Sequence, residues 1–260
     1  MLNNKYYIIT TLNSGSFGKI YKAHYNNQLY AIKESNNNLN IKHESFIYKE
    51  LKHINNIPKL FEYFVLEKKS YMVINYYEET LVDYKNRMFN SMNFINNLDT
   101  KFNIILYTLK DIHSCGFLHR DIKPSNICLN KYGEPYIIDF GLSKQYIVDN
   151  NHNIEKSITS IIGSHAFVSA NILNLIEPSR RDDIYSLIFV YIYMLVQEDK
   201  ISDIFQNRFE LTNLEKKLTT TTINSNGVVN IIKILNYIKK MSYKQRPNYD
   251  YINNTLFVKN

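Results

Sequence analysis

The segment His119-Arg120-Asp121-Ile122-Lys123-Pro124-Ser125-Asn126 brings a carboxylate, an ammonium and an amide close together, in the pattern H-R-D-x-K-x-x-N. An aspartate so placed accepts the proton of an incoming hydroxyl. A lysine two residues on stabilises charge on a transferred phosphoryl group, and the asparagine oxygen suits Mg²⁺. Asp139-Phe140-Gly141 follows the strand-like run 136–138, eighteen residues beyond Asp121. A carboxylate at Asp139 would bind Mg²⁺ bridging β- and γ-phosphates. Lys33 closes the run Ala31-Ile32-Lys33. It neutralises α- and β-phosphates if a carboxylate holds it, and Glu44 and Glu50 are the candidates. Asn13-x-Gly15-x-x-Gly18 lies between two strand-like runs. Glycine there lets backbone amides approach phosphate oxygens with no Cβ in the way. A strand after this turn, where a helix would be required, argues against a dinucleotide-binding turn. Taken singly, the glycines read as a hairpin turn and Lys33 as a surface lysine. The conjunction points to a nucleotide triphosphate and phosphoryl transfer. Four of the seven glycines, Gly15, Gly18, Gly141 and Gly163, fall in segments of this kind, which favours phosphate-cradle and hinge roles over random turns.

These residues need a scaffold that unites distant segments. The first third reads as strands: 6–12, 19–25, 28–33, 60–66 and 70–75 are rich in aromatic and β-branched residues. Between the third and fourth, residues 41–53 carry helical spacing through Ile41, Phe46, Ile47 and Leu51. The remainder reads as helical, with helices over 98–114, 182–196, 228–241 and 248–257, and Gly116 as the stop of the first. A small β lobe ahead of a helical lobe places a cleft near 75–80. The 260 residues suit one large domain or two lobes sharing a cleft. Two cysteines make a disulfide framework improbable and a reducing compartment the expectation. The first residues lack the pattern of a signal peptide. The longest apolar run, Leu187 to Val196, is too short to span a bilayer, so no membrane association is expected. The net charge of +7 comes from dispersed lysines, which favours solubility over specific nucleic-acid binding.

Together these residues resemble the eukaryotic protein kinases over essentially the whole chain. Gly163-Ser164-His165-Ala166-Phe167-Val168-Ser169-Ala170-Asn171 and Pro178-Ser179-Arg180-Arg181-Asp182-Asp183 resemble the casein kinase I and vaccinia-related kinase group. The resemblance implies an α+β, bilobal protein kinase fold spanning 1–260. A small β-rich N-lobe would cover about 1–75, a hinge about 76–80 and a larger helical C-lobe about 81–260. It implies ATP and Mg²⁺ as cofactors, and transfer to serine or threonine hydroxyls of protein substrates by a monomer. The serine/threonine preference rests on Lys123 and Ser164. By the same alignment Glu44, not Glu50, pairs with Lys33. Ile74 is the gatekeeper and Tyr77 offers backbone contacts to adenine. Ala31, Cys128 and Ile138 line the adenine pocket. Tyr48, His119 and Phe140 stack as a spine, and Asp183 braces the catalytic loop. Asn13 replaces the first glycine of the phosphate loop, for which weaker nucleotide affinity is expected. Ala166 replaces an arginine that helps the family bind anions near the substrate. Ser143, Ser157, Thr159 and Ser160 fall in or near the activation segment as phosphorylation candidates. The expected setting is intracellular and cytoplasmic. Composition and the vaccinia-related flavour suggest a large DNA virus, hence a host-cell cytoplasm. The rival readings are a pseudokinase or nucleotide-binding scaffold, and a small-molecule kinase.

Overall fold

A computed structural model describes residues 1–15 and 18–257. Residues 16 and 17, within the phosphate-loop reading, lie outside the described residues. The chain opens with β1 (Tyr7–Gly15), β2 (Gly18–Tyr25), β3 (Gln28–Ser35), α1 (Asn38–Glu50), β4 (Leu60–Leu66) and β5 (Lys69–Asn75). The five strands form one antiparallel sheet in the order β1-β2-β3-β5-β4. The register pairs Ala31 with Ile74 and Lys33 with Met72. Because side chains alternate along a strand, these four share one face. Tyr30, Ile32, Tyr71 and Val73 take the opposite face and pack with Tyr6 and Ala23 in a small core of their own. Helix α1 begins three residues before the periodic signal, because the Asn37 side chain accepts a hydrogen bond from Leu39 N and caps it.

After the sheet come β6 (Glu79–Thr80), α2 (Leu81–Met88), α3 (Phe94–Ser114), β7 (Phe117–Leu118), β8 (Ile127–Leu129) and β9 (Pro135–Ile137). The short strands β10 (Lys144–Gln145), β11 (Ile147–Val148) and β12 (Asn151–His152) follow. The chain then runs through α4 (Ala170–Leu173), α5 (Arg180–Leu195), α6 (Glu198–Gln206), α7 (Leu211–Leu218), α8 (Ser225–Lys239) and α9 (Tyr249–Leu256). The expected small β lobe and larger helical lobe are both present. Gly116, at φ +84° just beyond α3, is the stop that the sequence suggests. Four helices went unread: α2, α6 and α7, each of eight or nine residues, and the single turn α4. They are too short or too polar to establish a period.

Helix α5 runs through the centre of the large core, with thirteen of its sixteen residues buried. A helix apolar all round demands such a place. Each fully buried aliphatic or aromatic side chain contributes about 1.5–3 kcal/mol. Ser179 and Asp182 form a capping box at its start. At its far end the buried Lys85 donates to the Tyr193 carbonyl at 2.7 Å, with the Tyr193 ring 4.0 Å away and the exposed Glu198 at 3.8 Å. Burial pulls the Lys85 ammonium down to about 8, against the partial support of Glu198. The folded chain therefore binds fewer protons than the unfolded one between about 8 and the ordinary lysine value of 10.5. Stability must rise with pH across that window. Chemical denaturation across it should show wild type gaining on Lys85→Met as pH rises, and parallel curves would refute this.

Candidate active site

Helix α1 and strand β3 place the first pair. Lys33 Nζ lies 2.7 Å from Glu44 Oε2 and 2.7 Å from Asp139 Oδ1. Glu50 is exposed on the other side of α1, so the choice that composition left open falls to Glu44. Burial alone would lower the Lys33 ammonium, but Glu44 and Asp139 outweigh it and hold it above its ordinary value. Burial opposes ionisation of Asp139 too, and there Lys33 wins and draws the carboxyl down. The pair is ionic, and it ties the sheet to the large lobe.

The next layer sets the angle of these groups. Phe140 packs edge-on against Tyr48 and against His119, each at 5.0 Å between ring centroids. Asp139 N donates to the Tyr48 hydroxyl at 3.2 Å, and His119 Nε2 meets the Ile138 carbonyl at 3.0 Å. Asp139 and Arg120 both adopt left-handed backbone, at φ +67° and +68°. Such non-glycine residues cost about 1–3 kcal/mol each and need outside support. Asp183, in the first turn of α5, supplies it at Arg120. Its Oδ2 accepts from His119 N and its Oδ1 from Arg120 N, both at 2.8 Å. Arg120 Nε in turn donates to the Leu142 carbonyl at 2.6 Å.

Asp121 sits at the centre and is nearly buried. Ser164 N donates to its Oδ1 at 2.9 Å, Asn126 Nδ2 to its Oδ2 at 3.0 Å, and Lys123 Nζ lies 2.8 Å from the same oxygen. Lys123 also donates to Ser164 Oγ at 2.9 Å. Gly163 makes this approach possible: it sits at φ +96°, and a Cβ there would come within 2.5 Å of the Arg120 carbonyl. Ser169 and Asn171 both donate to Asp182 Oδ1, at 2.6 and 3.0 Å. That gives the S-A-N ending of this segment a physical purpose, since it fastens the loop to the start of α5.

The cleft between the lobes encloses a cavity of about 460 Å³, a size that suits a small ligand. Asn13, Gly18, Ala31, Ile74 and Ile138 line it, with Lys33, Asp121, Lys123, Asn126 and Asp139 at its polar end. Gly15 pairs with Gly18 across the hairpin. Tyr77 and Cys128 stand apart from this lining. The Tyr77 ring stacks on Tyr136 at 4.7 Å, and Cys128 is buried on β8 opposite Tyr136. Met72 and Ile20, which sequence reasoning missed, line the cleft because both register with Lys33 on neighbouring strands. Strand alternation was the available signal. Of the four hydroxyls in the activation segment, Ser143 is buried and donates to the His119 carbonyl, while Ser157, Thr159 and Ser160 are exposed. A larger cavity of about 790 Å³ opens among α3, α5, α8 and α9. It is lined mostly by neutral amides, hydroxyls and apolar groups and holds none of the motif residues, so chemistry and not volume locates the site.

Asn126 spends its amide nitrogen on Asp121, which leaves Oδ1 as a hard oxygen donor, and Asp139 spends only Oδ1 on Lys33. Two such oxygens suit a divalent cation that draws its remaining ligands from phosphate and water. Among the described residues no three His, Cys, Asp or Glu side chains gather to hold a metal by themselves.

A two-lobed scaffold with a lysine–glutamate pair, a braced aspartate and an oxygen pair in one cleft defines a phosphotransferase that uses ATP and a divalent metal. The chain belongs to the protein kinase domain family, whose sequence profile matches residues 6–258. It is similar to a casein kinase I homolog of Encephalitozoon cuniculi, 28% identical over 96% of this chain and 83% of that one. It is also similar to a serine/threonine-protein kinase of Caenorhabditis elegans, 25% identical over 96% of this chain and 76% of the other. Its fold matches a solved structure of vaccinia related kinase 3 with a TM-score of 0.74, at 15% identity, over 96% of this chain and 85% of that one. The expected protein kinase membership stands, and the similarities fall among the casein kinase I and vaccinia-related proteins that the sequence resembles. Nothing in the site favours the scaffold alternative.

Proposed function

We propose that this kinase uses Mg²⁺, held by Asn126 and Asp139, to transfer the ATP γ-phosphoryl group to serine and threonine hydroxyls of protein substrates. The observation that carries the reading is the meeting of Lys33 with Asp139 at 2.7 Å in the cavity that also holds Asp121 and Asn126. Asp121, fixed by Ser164 N, Asn126 and Lys123, orients the substrate hydroxyl and takes its proton. Lys123, anchored on Ser164, lies beside the transferred group and offsets its charge. Lys33 neutralises the phosphates nearer the sugar, and Glu44 keeps it aimed there. Bound at Asn126 and Asp139, the cation would supply the remaining charge neutralisation. Positioning and electrostatics suffice because the transition state is loose.

Calorimetry of ATP binding to the metal-stripped protein tests the metal assignment. ATP affinity should rise when Mg²⁺ is supplied, and Asp139→Asn should abolish most of that gain. An unchanged Mg²⁺ dependence in the variant would remove Asp139 from the metal shell. The same reading takes the protein as a monomer of a reducing, intracellular setting. Two free thiols, Cys115 and Cys128, support the compartment, and isolation from cells as a secreted protein would count against it. No helix among the described residues is long and apolar enough to cross a membrane.

A further inference from the structure

A buried line of hydrogen bonds runs from the last helix to the catalytic loop. Tyr249, the first residue of α9, meets His113 Nδ1 through its hydroxyl at 2.6 Å. His113, in the last turn of α3, meets Asp183 Oδ2 through Nε2 at 2.9 Å. Asp183 then accepts from the backbone of His119 and Arg120. All three residues are at most 3% exposed, so water does not substitute for any of these partners.

The proton positions follow from the partners. Burial holds the Tyr249 phenol above its ordinary value, so it keeps its one proton. Asp183 is drawn below the ordinary carboxylate range, since His113 and the loop amide outweigh burial, so it is an ionised acceptor. A neutral imidazole has one donor and one acceptor nitrogen, and the hydrogen bond at one selects the other. If Tyr249 donates to Nδ1, the proton resides on Nε2 and faces the carboxylate. The opposite tautomer would aim a lone pair at Asp183 Oδ2. Tyr146 donates to the His113 carbonyl at 2.6 Å and Arg180 to the Tyr146 hydroxyl, so neither competes for the ring nitrogens.

We infer that Tyr249 is a positioning residue for phosphoryl transfer: it fixes the tautomer of His113, which holds Asp183 against the left-handed backbone beside Asp121. The inference rests on the kinase reading. Its consequence is that an α9 hydroxyl outside the nucleotide cavity governs turnover without touching either substrate. At metal centres, loss of the outer hydrogen-bond partner that orients a ligating imidazole costs about 10–100-fold, and the lower end of that range sets the scale for this metal-free bridge.

The test is a Tyr249→Phe variant, which keeps the ring and removes the hydroxyl. Single-turnover transfer to a serine peptide should slow by about tenfold, with KM for ATP unchanged within about twofold. In a His113→Gln background the amide donates to Asp183 whatever Tyr249 does, so Tyr249→Phe should there add nothing. A wild-type rate in Tyr249→Phe, an equal loss in both backgrounds, or a loss confined to KM would each overturn the inference. ¹⁵N-histidine NMR of the wild-type chain decides the point without any variant, the His113 signals being identified by their absence in His113→Gln. An Nε2–H tautomer is expected, and an Nδ1–H tautomer or a doubly protonated ring refutes the inference even if Tyr249→Phe does not fold. An inactive wild type would speak against the kinase reading, while the tautomer would still decide this one.

Discussion

Asp121→Asn lowers the rate of phosphoryl transfer by about 10²–10⁴-fold, the range for removing a positioned general base, while ATP binding stays close to wild type. The two halves of this expectation have separate causes. Asp121 is held by Ser164 N, Asn126 Nδ2 and Lys123, all of them donors. Asparagine retains the size but replaces one acceptor oxygen with an NH₂ group. Whichever way the amide turns, it sets a donor against a donor, at Ser164 N or at Lys123 and Asn126. The variant thus loses both the proton acceptor and the geometry of Lys123. Lys33, Glu44 and Asp139 are untouched, so the groups that meet the nucleotide persist. Single-turnover transfer to a serine peptide and calorimetry of nucleotide binding measure the two halves. Full activity would disqualify Asp121 as the base, and loss of nucleotide binding would show that its role is structural.

What the sequence revealed and what it hid divide along physical lines. The chemistry was legible because it sits in short contiguous motifs: Asp121, Lys123 and Asn126 share one loop, and Asp139 begins the next. The five strands were legible because alternation and aromatic content survive in segments of seven to nine residues. What brings Lys33 to Glu44 was ambiguous in residue spacing, since Glu44 and Glu50 lie on the same helix; the resemblance chose Glu44, and packing shows that it faces inward. Helices α2, α6 and α7 were hidden because their turns are few and polar, although Thr80 and Asp83 form a capping box that marks the start of α2. The brace from Asp183 was named by resemblance, but its extension to His113 and Tyr249 joins residues 70 and 136 positions from His113. No pattern along the chain announces a contact of that range. Tyr77 shows the converse limit: alignment places it at the hinge, and the stacking on Tyr136 that draws its ring to β9 is a tertiary choice.

Lys33→Met is the second change of large effect, because it acts on catalysis and on stability through different residues. Loss of a preorganised cation beside the phosphates costs about 10²–10³-fold in turnover. The stability loss arises at Glu44, which is 2% exposed and is left without its cation. Breaking a buried pair on one side costs about 3–5 kcal/mol, since the remaining charge is uncompensated. Burial is the largest influence on the Glu44 carboxyl and pushes it up, and with Lys33 gone the Phe140 backbone is the remaining support for the charged form. A carboxyl raised in the folded state stabilises below its unfolded value and loses that contribution as pH rises through the folded one. Loss of Lys33 raises the folded carboxyl further, so the stability deficit of Lys33→Met should deepen as pH rises above the wild-type Glu44 value, which already lies above 4.5, whereas loss of an ordinary surface pair is fully expressed by that pH and deepens no further. Adding Glu44→Gln removes the stranded charge. The double variant should recover much of the stability, lose the pH dependence and remain inactive. Urea denaturation across that pH range, with transfer assays on the same samples, separates the two effects. A double variant no more stable than Lys33→Met would mean that the buried carboxylate is not what the lysine protects.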